Sequence, residues 1–186
     1  MCIRDRPSKA AVRGGAVGVS AINTILSVIG VDLETLRPMP TVEGYTVPGG
    51  YSSQAVRPIA LRMVSQLSQT LPQEVSISGI GGIENSHDAL EFMLLGASTV
   101  QLCTGVMLHG IKIIDELKEG VAKFMTDKKF ETVQDIVGKS IPYFSTHMNL
   151  VERMKQAKRH KGGESSRDND WAEKSITEKT AELTSN

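Results

Sequence analysis

The chain switches between strand-like and helix-like spacing of its apolar residues, most clearly in residues 75–105. Residues 75–78 form a short apolar, β-branched run that stops at a glycine, as a buried strand does. Apolar positions then recur at helical spacing, which predicts a helix with Ser86 as its N-cap and Gly96 at its end. A second strand is predicted for residues 98–102. Strand, glycine loop, helix and strand in this order indicate a βαβ unit of a parallel sheet.

The spacing predicts further elements on both sides of this unit. Residues 8–13 are expected to end a helix, residues 110–125 to form an amphipathic helix, and residues 132–137 to form a shorter element. Residues 27–50 have no clear period and contain several prolines, which predicts a loop that covers a functional site. A helix follows that loop, and its core-facing stripe is expected to be Val56, Ile59, Ala60, Met63, Val64 and Leu67.

Polar residues stand where a predicted strand ends. Residues 16–22 form an apolar strand that is followed by Asn23 and Thr24. At the carboxyl end of a barrel strand such residues face the active-site mouth, where an amide offers a donor and an acceptor to a flat heterocycle. The alternative for Asn23 is ordinary turn chemistry.

Glycines and small polar residues occupy three predicted helix entrances, two of them directly after strands. Backbone N–H groups at such places point at an anion, the helix dipole favours negative charge, and glycine lets the main chain approach closely. The glycine pair at 81–82 taken alone could also be a tight turn. The expected phosphate-binding residues are Gly50, Ser52, Ser53, Gly81, Gly82, Cys103 and Thr104.

The composition limits the classes of partner and the compartments that we expect for this protein. Of the 186 residues, 40% are hydrophobic and 23% charged, as in an ordinary globular domain. Basic and acidic residues number 21 each, so the charge balance gives no argument for nucleic acid or an anionic membrane. No apolar run is long enough to span a bilayer. Two cysteines, Cys2 and Cys103, favour a reducing compartment over a disulfide framework.

Metal chemistry is not predicted. His87, His109 and His147 have no cysteine or carboxylate at ligand spacing and are expected to be structural. Arg57 is either a phosphate ligand or part of a solvated helix face. Cys103, expected to be buried, would contribute its backbone and not a nucleophilic thiol.

Three segments are expected along the chain. Residues 1–7 lack the apolar core of a signal peptide and are expected to be a non-native leader. Residues 8–138 would form the barrel part, and residues 139–186 a charged extension. The last 36 positions hold eight basic and seven acidic residues, and Trp171 is the anchor expected to dock there.

Two long runs carry a resemblance to known enzymes. They are GVSAINTILSVIGVDLETLRPMPTVEGYTVPGGYSSQAVRPIAL and SGIGGIENSHDALEFMLLGASTVQLCTGVM, and they resemble the flavin half of the dihydropyrimidine dehydrogenase family. The tail, with SIPYFSTHMNLVERMKQA, DNDW and LTSN, is similar to the plant-type, single-barrel branch of that family. The resemblance covers residues 8–186.

This resemblance implies a fold and a cofactor. The fold would be α/β, a (β/α)8 TIM barrel of the dihydroorotate dehydrogenase type, of which the chain holds the last three βα units and a helical tail. FMN would bind with its phosphate on the three glycine and small-residue loops. Ser53 stands where many relatives have glycine, so its backbone contact requires a φ that is not positive.

The resemblance also implies a reaction. Reduced FMN would transfer a hydride to uracil or thymine, giving the 5,6-dihydropyrimidine in the first step of pyrimidine catabolism, with Asn23 and Thr24 holding the ring. NADPH or NADH would be the electron donor. The family's general acid is a cysteine on an earlier loop that neither Cys2 nor Cys103 matches, so no catalytic residue is assigned and the fragment alone is expected to be inactive. A homo-oligomer, commonly a dimer, is implied, located in a plastid of a plant or alga or otherwise in the cytoplasm.

Two alternatives remain open at this point. Dihydroorotate dehydrogenase shares the barrel, the flavin and the Asn-Thr pair, although the tail and the VEGYTVPGGYS loop argue against it. A non-catalytic module that binds a phosphorylated ligand is the second. Metal-dependent aldolase chemistry fails for want of a His and carboxylate cluster.

Overall fold

The structure, a computed structural model, describes residues 5–160. The chain divides into two compact units, Met1–Pro142 and Tyr143–Asn186, and each is described by itself. The expected anchor Trp171 and the first four residues of the expected leader lie outside the described residues.

The described residues form seven strands and six α-helices. The strands are β1 (Gly18–Ala21), β2 (Ile25–Ser27), β3 (Gly30–Asp32), β4 (Arg37–Met39), β5 (Gly49–Tyr51), β6 (Ser76–Ile80) and β7 (Thr99–Gln101). The helices are α1 (Asp5–Arg13), α2 (Arg57–Thr70), α3 (Ser86–Leu94), α4 (Thr104–His109), α5 (Ile113–Lys128) and α6 (His147–His160). Short 3-10 helices lie at Ser53–Val56, Val133–Asp135 and Ile141–Tyr143. None of these helices is long and apolar enough to cross a membrane.

A parallel three-stranded sheet of order β1-β6-β7 is the centre of the first unit. Helix α3 connects β6 to its parallel neighbour β7, which confirms the predicted βαβ unit. Gly79 in β6 allows a close approach, since an added Cβ would lie 2.5 Å from the ring of Phe92 in α3. Phe92 is fully buried there. The glycine therefore lets α3 pack directly on the sheet.

Helices α2, α3 and α5 supply most of the main core cluster against the sheet. Five of the six residues of the predicted α2 stripe are buried, but the prediction was wrong for Ile59, which is 38% exposed. The buried positions follow one face at helical spacing, and Ile59 lies at the edge of that face. Ser65 is buried instead and donates its hydroxyl to the carbonyl of Arg62.

Helix α3 begins one residue earlier than predicted, at the residue that was expected to be its cap. The N-cap is Asn85, whose side-chain oxygen accepts a hydrogen bond from the Asp88 N–H at 3.0 Å, and Ser86 is the first helical residue. Both residue types cap well, so the sequence alone did not separate them. Gly96 has a φ of +107°, which confirms the predicted glycine-dependent end of the helix.

Residues 25–51, of which 27–50 were expected to be an irregular loop, form two short antiparallel strand pairs outside the parallel sheet, which we call the excursion. Strand β2 pairs with β5, and β3 pairs with β4. Each of these strands has three residues, too few to produce a periodic signal. Many large hydrophobic side chains of the excursion are exposed, namely those of Leu26, Val28, Ile29, Val31, Leu33, Leu36, Met39, Val42, Tyr45, Val47 and Tyr51.

Candidate functional site

A cavity of about 530 Å³ lies at the carboxyl ends of the three parallel strands. Its volume falls within the range of roughly 300–1,000 Å³ that is usual for small-molecule and cofactor sites. The lining residues are Ser20, Ile22, Asn23, Thr24, Ser52, Ser53, Val56, Ile80, Gly81, Gly82, Ile83, Gln101, Leu102, Cys103, Thr104, Gly105 and Met107. Apolar, hydroxyl and amide groups thus share one concave surface.

Eight of the nine predicted site residues line this cavity, and Gly50 is the exception. Gly50 lies in β5, paired with Leu26 of β2. A Cβ at this position would collide with the side chain of Thr24. Gly50 therefore stands behind Thr24, where it allows the excursion to approach the end of β1.

Asn23 lines the cavity with its side-chain oxygen engaged locally. That oxygen accepts a hydrogen bond from the Thr24 N–H at 2.8 Å and lies 3.4 Å from the Thr24 hydroxyl. Asn23 therefore both forms the local turn hydrogen bond and lines the cavity, so the two interpretations do not exclude each other. With its oxygen held by the main chain, the amide group of Asn23 has a fixed orientation.

The three small-residue loops touch one another where they meet. The Thr104 hydroxyl donates to the Ser52 hydroxyl at 3.2 Å. A Cβ at Gly82 would lie 2.6 Å from the Ser53 carbonyl, and one at Gly105 would lie 2.5 Å from the Ile83 carbonyl. Only glycine permits main chains to pass this closely, so Gly105 joins the predicted glycines as a residue that the geometry requires.

Glu84 was missed by the sequence reasoning, although it directly follows the glycine loop. Its carboxylate accepts hydrogen bonds of 2.8 Å each from the Ser53 hydroxyl and the Gln54 amide. His109 Nε2 lies 3.5 Å from the same carboxylate. The Ser53 hydroxyl, followed by Gln54 and His109, holds the pKa of Glu84 below its ordinary value against the opposing effect of desolvation. The residue is therefore ionised at neutral pH.

Ser53 has a φ of +66°, so the condition set for its backbone contact is not met. This region of backbone conformation favours glycine and is costly for other residues. The side chain offsets part of that cost through its hydrogen bond to Glu84. Ser53 thus lines the cavity with its hydroxyl turned to a protein partner.

Arg57 belongs to a buried ion pair and does not line the cavity. It pairs with Asp88, which is 1% exposed, and its Nε lies 3.8 Å from Glu91 Oε2. His87, Asp88 and Glu91 do bring ligand atoms within 4.8 Å of one another, so the prediction that no carboxylate lies at ligand distance from a histidine was wrong. The Arg57 guanidinium already compensates the two carboxylates, and the cluster carries no argument for a metal.

The predicted burial of Cys103 was wrong, because the residue is exposed and its thiol is free. It follows β7, two residues beyond the last residue of that strand, Gln101. Its position in the cavity lining is compatible with the expected backbone contact.

The face of the sheet that continues into the cavity is polar. Gln101 Nε2 donates to Ser20 at 3.0 Å and to Ser78 at 2.8 Å, and Thr99 donates to Ser78 at 2.9 Å. These bonds join side chains of all three strands. A layer of hydroxyl and amide groups therefore covers the side of the sheet opposite the helices.

Comparisons with known proteins show to which family the chain is similar. A family model described as dihydroorotate dehydrogenase matches residues 4–125. The chloroplastic dihydropyrimidine dehydrogenase (NADP(+)) of Arabidopsis thaliana is 45% identical over 97% of this chain and 44% of its own length. The NAD-dependent dihydropyrimidine dehydrogenase subunit PreA of Escherichia coli is 46% identical over 69% of the chain and 32% of its own length.

An archaeal protein matches the same share of the chain as the Escherichia coli protein. The catalytic subunit of dihydroorotate dehydrogenase B (NAD(+)) from Pyrococcus horikoshii is 42% identical over 69% of the chain and 40% of its own length. The chain thus spans less than half the length of each of these relatives. The family model covers well over half of the chain, and the chain therefore belongs to the dihydroorotate dehydrogenase family.

Proposed function

We propose that this chain forms part of a flavin-dependent dihydropyrimidine dehydrogenase, in which the cavity holds FMN and a pyrimidine. The reaction would reduce uracil or thymine to the 5,6-dihydropyrimidine, with NADPH or NADH as the electron donor. The observation that carries the proposal is one cavity at three parallel strand ends, lined by both the Asn23-Thr24 pair and the small-residue loops.

The donor set fits a phosphate that is held without a cation. The cavity lining contains no lysine, arginine or histidine among the described residues. Ser52 and Thr104 offer hydroxyl groups, and Gly81, Gly82 and Gly105 leave the main chain of the lining uncovered by side chains. Neutral donors of this kind bind phosphate groups at loop and helix entrances. Bound FMN would supply hydride transfer, and these residues would hold its phosphate.

The residues at the end of β1 suit a pyrimidine. The fixed amide of Asn23 can donate to a ring carbonyl, and the Thr24 hydroxyl can donate or accept beside it. Ile22 and Ile80 add apolar walls that a flat ring can contact. These residues orient the substrate, and orientation is a large part of a hydride-transfer rate.

One observation favours a pyrimidine-reducing enzyme of the plant type over dihydroorotate dehydrogenase. The match to the Arabidopsis protein extends over 97% of the chain, whereas the match to the Pyrococcus protein covers 69%.

The architecture we propose is a (β/α)8 barrel to which this chain contributes three βα units, with the other strands supplied by sequence outside these 186 residues. Three features support it. The sheet is parallel, helices cover one face, and the opposite face carries the polar layer that would line a barrel interior. Strands β1 and β7 are the edges that further strands would pair.

The same comparisons support proposals for assembly and location. Both the Escherichia coli and the Pyrococcus relatives are named as subunits. The exposed apolar side chains of the excursion support a homo-oligomer in which a second copy covers them. In a plant or alga we place the protein in a plastid, as the name of the Arabidopsis relative states for that protein, and otherwise in the cytoplasm.

The test uses the complete polypeptide that contains these residues. Asn23→Ala should keep the visible absorption of bound flavin and reduce the rate of uracil reduction by about 100-fold or more, since orientation of the ring is lost. Gln73→Ala removes an exposed amide at the amino end of β6 and serves as the matched control. Unchanged uracil reduction by Asn23→Ala would contradict the proposed substrate site, and a protein unable to bind FMN would contradict the cofactor.

A further inference from the structure

We infer that Glu84 is a positioning residue that holds the glycine loop after β6 in register with the entrance of α2, and so sets the spacing of two of the three small-residue loops of the cavity. The inference rests on the proposed function and deepens it. It assigns a role to a residue that does not itself line the cavity.

The contacts of Glu84 join the glycine loop to the entrance of α2 and to the far end of α4. Ser53 and Gln54 lie at the entrance to α2, and each donates a 2.8 Å hydrogen bond to a different carboxylate oxygen. His109 ends α4, the helix that opens at Thr104, and its Nε2 lies 3.5 Å from Oε2. Glu84 itself follows the glycine loop of β6. One carboxylate therefore joins the ends of three separate segments.

The main chain of Glu84 is fixed independently of its side chain. Its N–H donates to Asp88 Oδ2 at 2.9 Å, and Asp88 is buried in its ion pair with Arg57. Arg57 is the first residue of α2. Through Asp88, the main chain of the glycine loop is therefore linked to the same helix that Ser53 and Gln54 precede. The main chain that carries the carboxylate is thus held in place by buried contacts.

The glycine loop is held by packing on one side and by Glu84 on the other. Ile83 anchors it in the core, where it is 2% exposed. At Gly82 the main chains pass too closely for a side chain to lie between them, so the hydrogen bonds of Glu84 add the directional link to the entrance of α2. The Glu84 side chain is only 11% exposed, where a charge-assisted hydrogen bond is strong.

The expected effect is confined to one end of the ligand. Ser52 and Gly82 lie on the two loops that Glu84 joins, and the Thr104 hydroxyl of the third loop donates to Ser52. Asn23 and Thr24 are held by their own local bonds. Loosening the loops should weaken the binding of a phosphate and leave the binding of a flavin ring nearly unchanged. FMN and riboflavin share the ring and differ in the phosphate, so they form a matched pair of probes.

The test measures the dissociation constants of FMN and riboflavin from flavin fluorescence, with the complete polypeptide freed of flavin. Glu84→Gln replaces an acceptor by an amide that conflicts with the Gln54 amide, and Glu84→Ala removes both acceptors. Loss of one hydrogen bond to a charged group should raise the FMN constant about tenfold, and more for alanine. The riboflavin constant should change less than twofold. Glu74→Gln, an exposed carboxylate at the amino end of β6, is the control and should change neither.

A double-mutant cycle keeps the inference testable if one variant is less stable. Because Ser53→Ala removes the other partner of the same bond, Ser53→Ala and Glu84→Gln should weaken FMN binding less than additively when combined. Equal weakening of FMN and riboflavin would show a general structural role and overturn the inference, as would unchanged FMN binding by Glu84→Ala. Wild-type protein that binds neither flavin would contradict the proposed function itself, which separates the two failures.

Discussion

The helix-covered sheet and the antiparallel excursion use hydrophobic residues in opposite ways. In the sheet region, Phe92, Val64 and Ile77 are almost completely buried. In the excursion, Leu26, which is 78% exposed, and Leu33, which is 84% exposed, have no such cover within the described residues. The chain's own core therefore accounts for the first set and not for the second.

This difference separates what one chain can specify alone from what depends on its surroundings. Glycines in the sheet region allow buried contacts, as Gly79 does for Phe92. In the excursion, strand pairing supplies order without a core, and its apolar surface has the character of an association surface. Substitutions in the two regions should accordingly have very different effects on stability.

The largest expected effect is at the centre of the sheet region. Phe92→Ala should lower the free energy of unfolding by about 3–5 kcal/mol, because it removes a fully buried ring that packs on Gly79. Denaturant unfolding followed by circular dichroism measures this. A loss below about 1 kcal/mol would show that α3 does not depend on this contact.

The next effect concerns the ion pair between α2 and α3. Asp88→Asn leaves Arg57 without its buried counter-charge and should cost about 3 kcal/mol, at the low end for buried pairs because Arg57 is 29% exposed. The matched control is Asp115→Asn, whose partner Lys118 is exposed, and it should change the free energy of unfolding by less than about 0.5 kcal/mol. Equal losses in the two variants would contradict the structural role of the buried pair.

A smaller, pH-dependent effect is expected at Glu84. Because the folded protein lowers the pKa of Glu84, its contribution to stability is present above the unfolded-state pKa and is lost as the pH falls through the folded-state value. The difference in unfolding free energy between wild type and Glu84→Gln should therefore shrink as the pH is lowered from neutral into the acid range. Backbone N–H groups also lower the pKa values of Asp32 and Asp135. Both residues are present in wild type and variant, so their contributions cancel in the difference between the two unfolding free energies. A difference that does not depend on pH would contradict this origin.

The smallest effect belongs to the excursion. Leu33→Ser should change the free energy of unfolding by less than about 0.5 kcal/mol, because the side chain is 84% exposed. If a second copy covers this surface, the same variant should weaken self-association, which analytical ultracentrifugation measures. A large loss of stability at a concentration where the protein is monomeric would show that the excursion has a core contact.

The sequence predicted most where local periodicity and burial coincide. The βαβ unit, five of the six α2 stripe residues and the glycine end of α3 follow from spacing that one strand or helix imposes on itself. The placement of eight predicted site residues at one cavity follows from the rule that parallel strands end on the same side of a sheet. Their roles in binding remain predictions.

Other features depend on contacts between distant residues, which no local pattern records. Glu84 meets Ser53 across 31 positions of the sequence, and the partner of Arg57 lies in the next helix. The strands of the excursion are too short for a period to be recognised. Cys103 was expected to be buried because an apolar strand precedes it, but the thiol lies beyond the strand end.

An anaerobic titration of the flavin absorption band tests the central claim most directly. The complete polypeptide should contain FMN and be bleached by dihydrouracil, and dihydroorotate should leave the band unchanged. Bleaching by dihydroorotate alone would assign the cavity to dihydroorotate oxidation. A colourless protein that takes up no added FMN would contradict the flavin site and leave a module that binds another phosphorylated ligand.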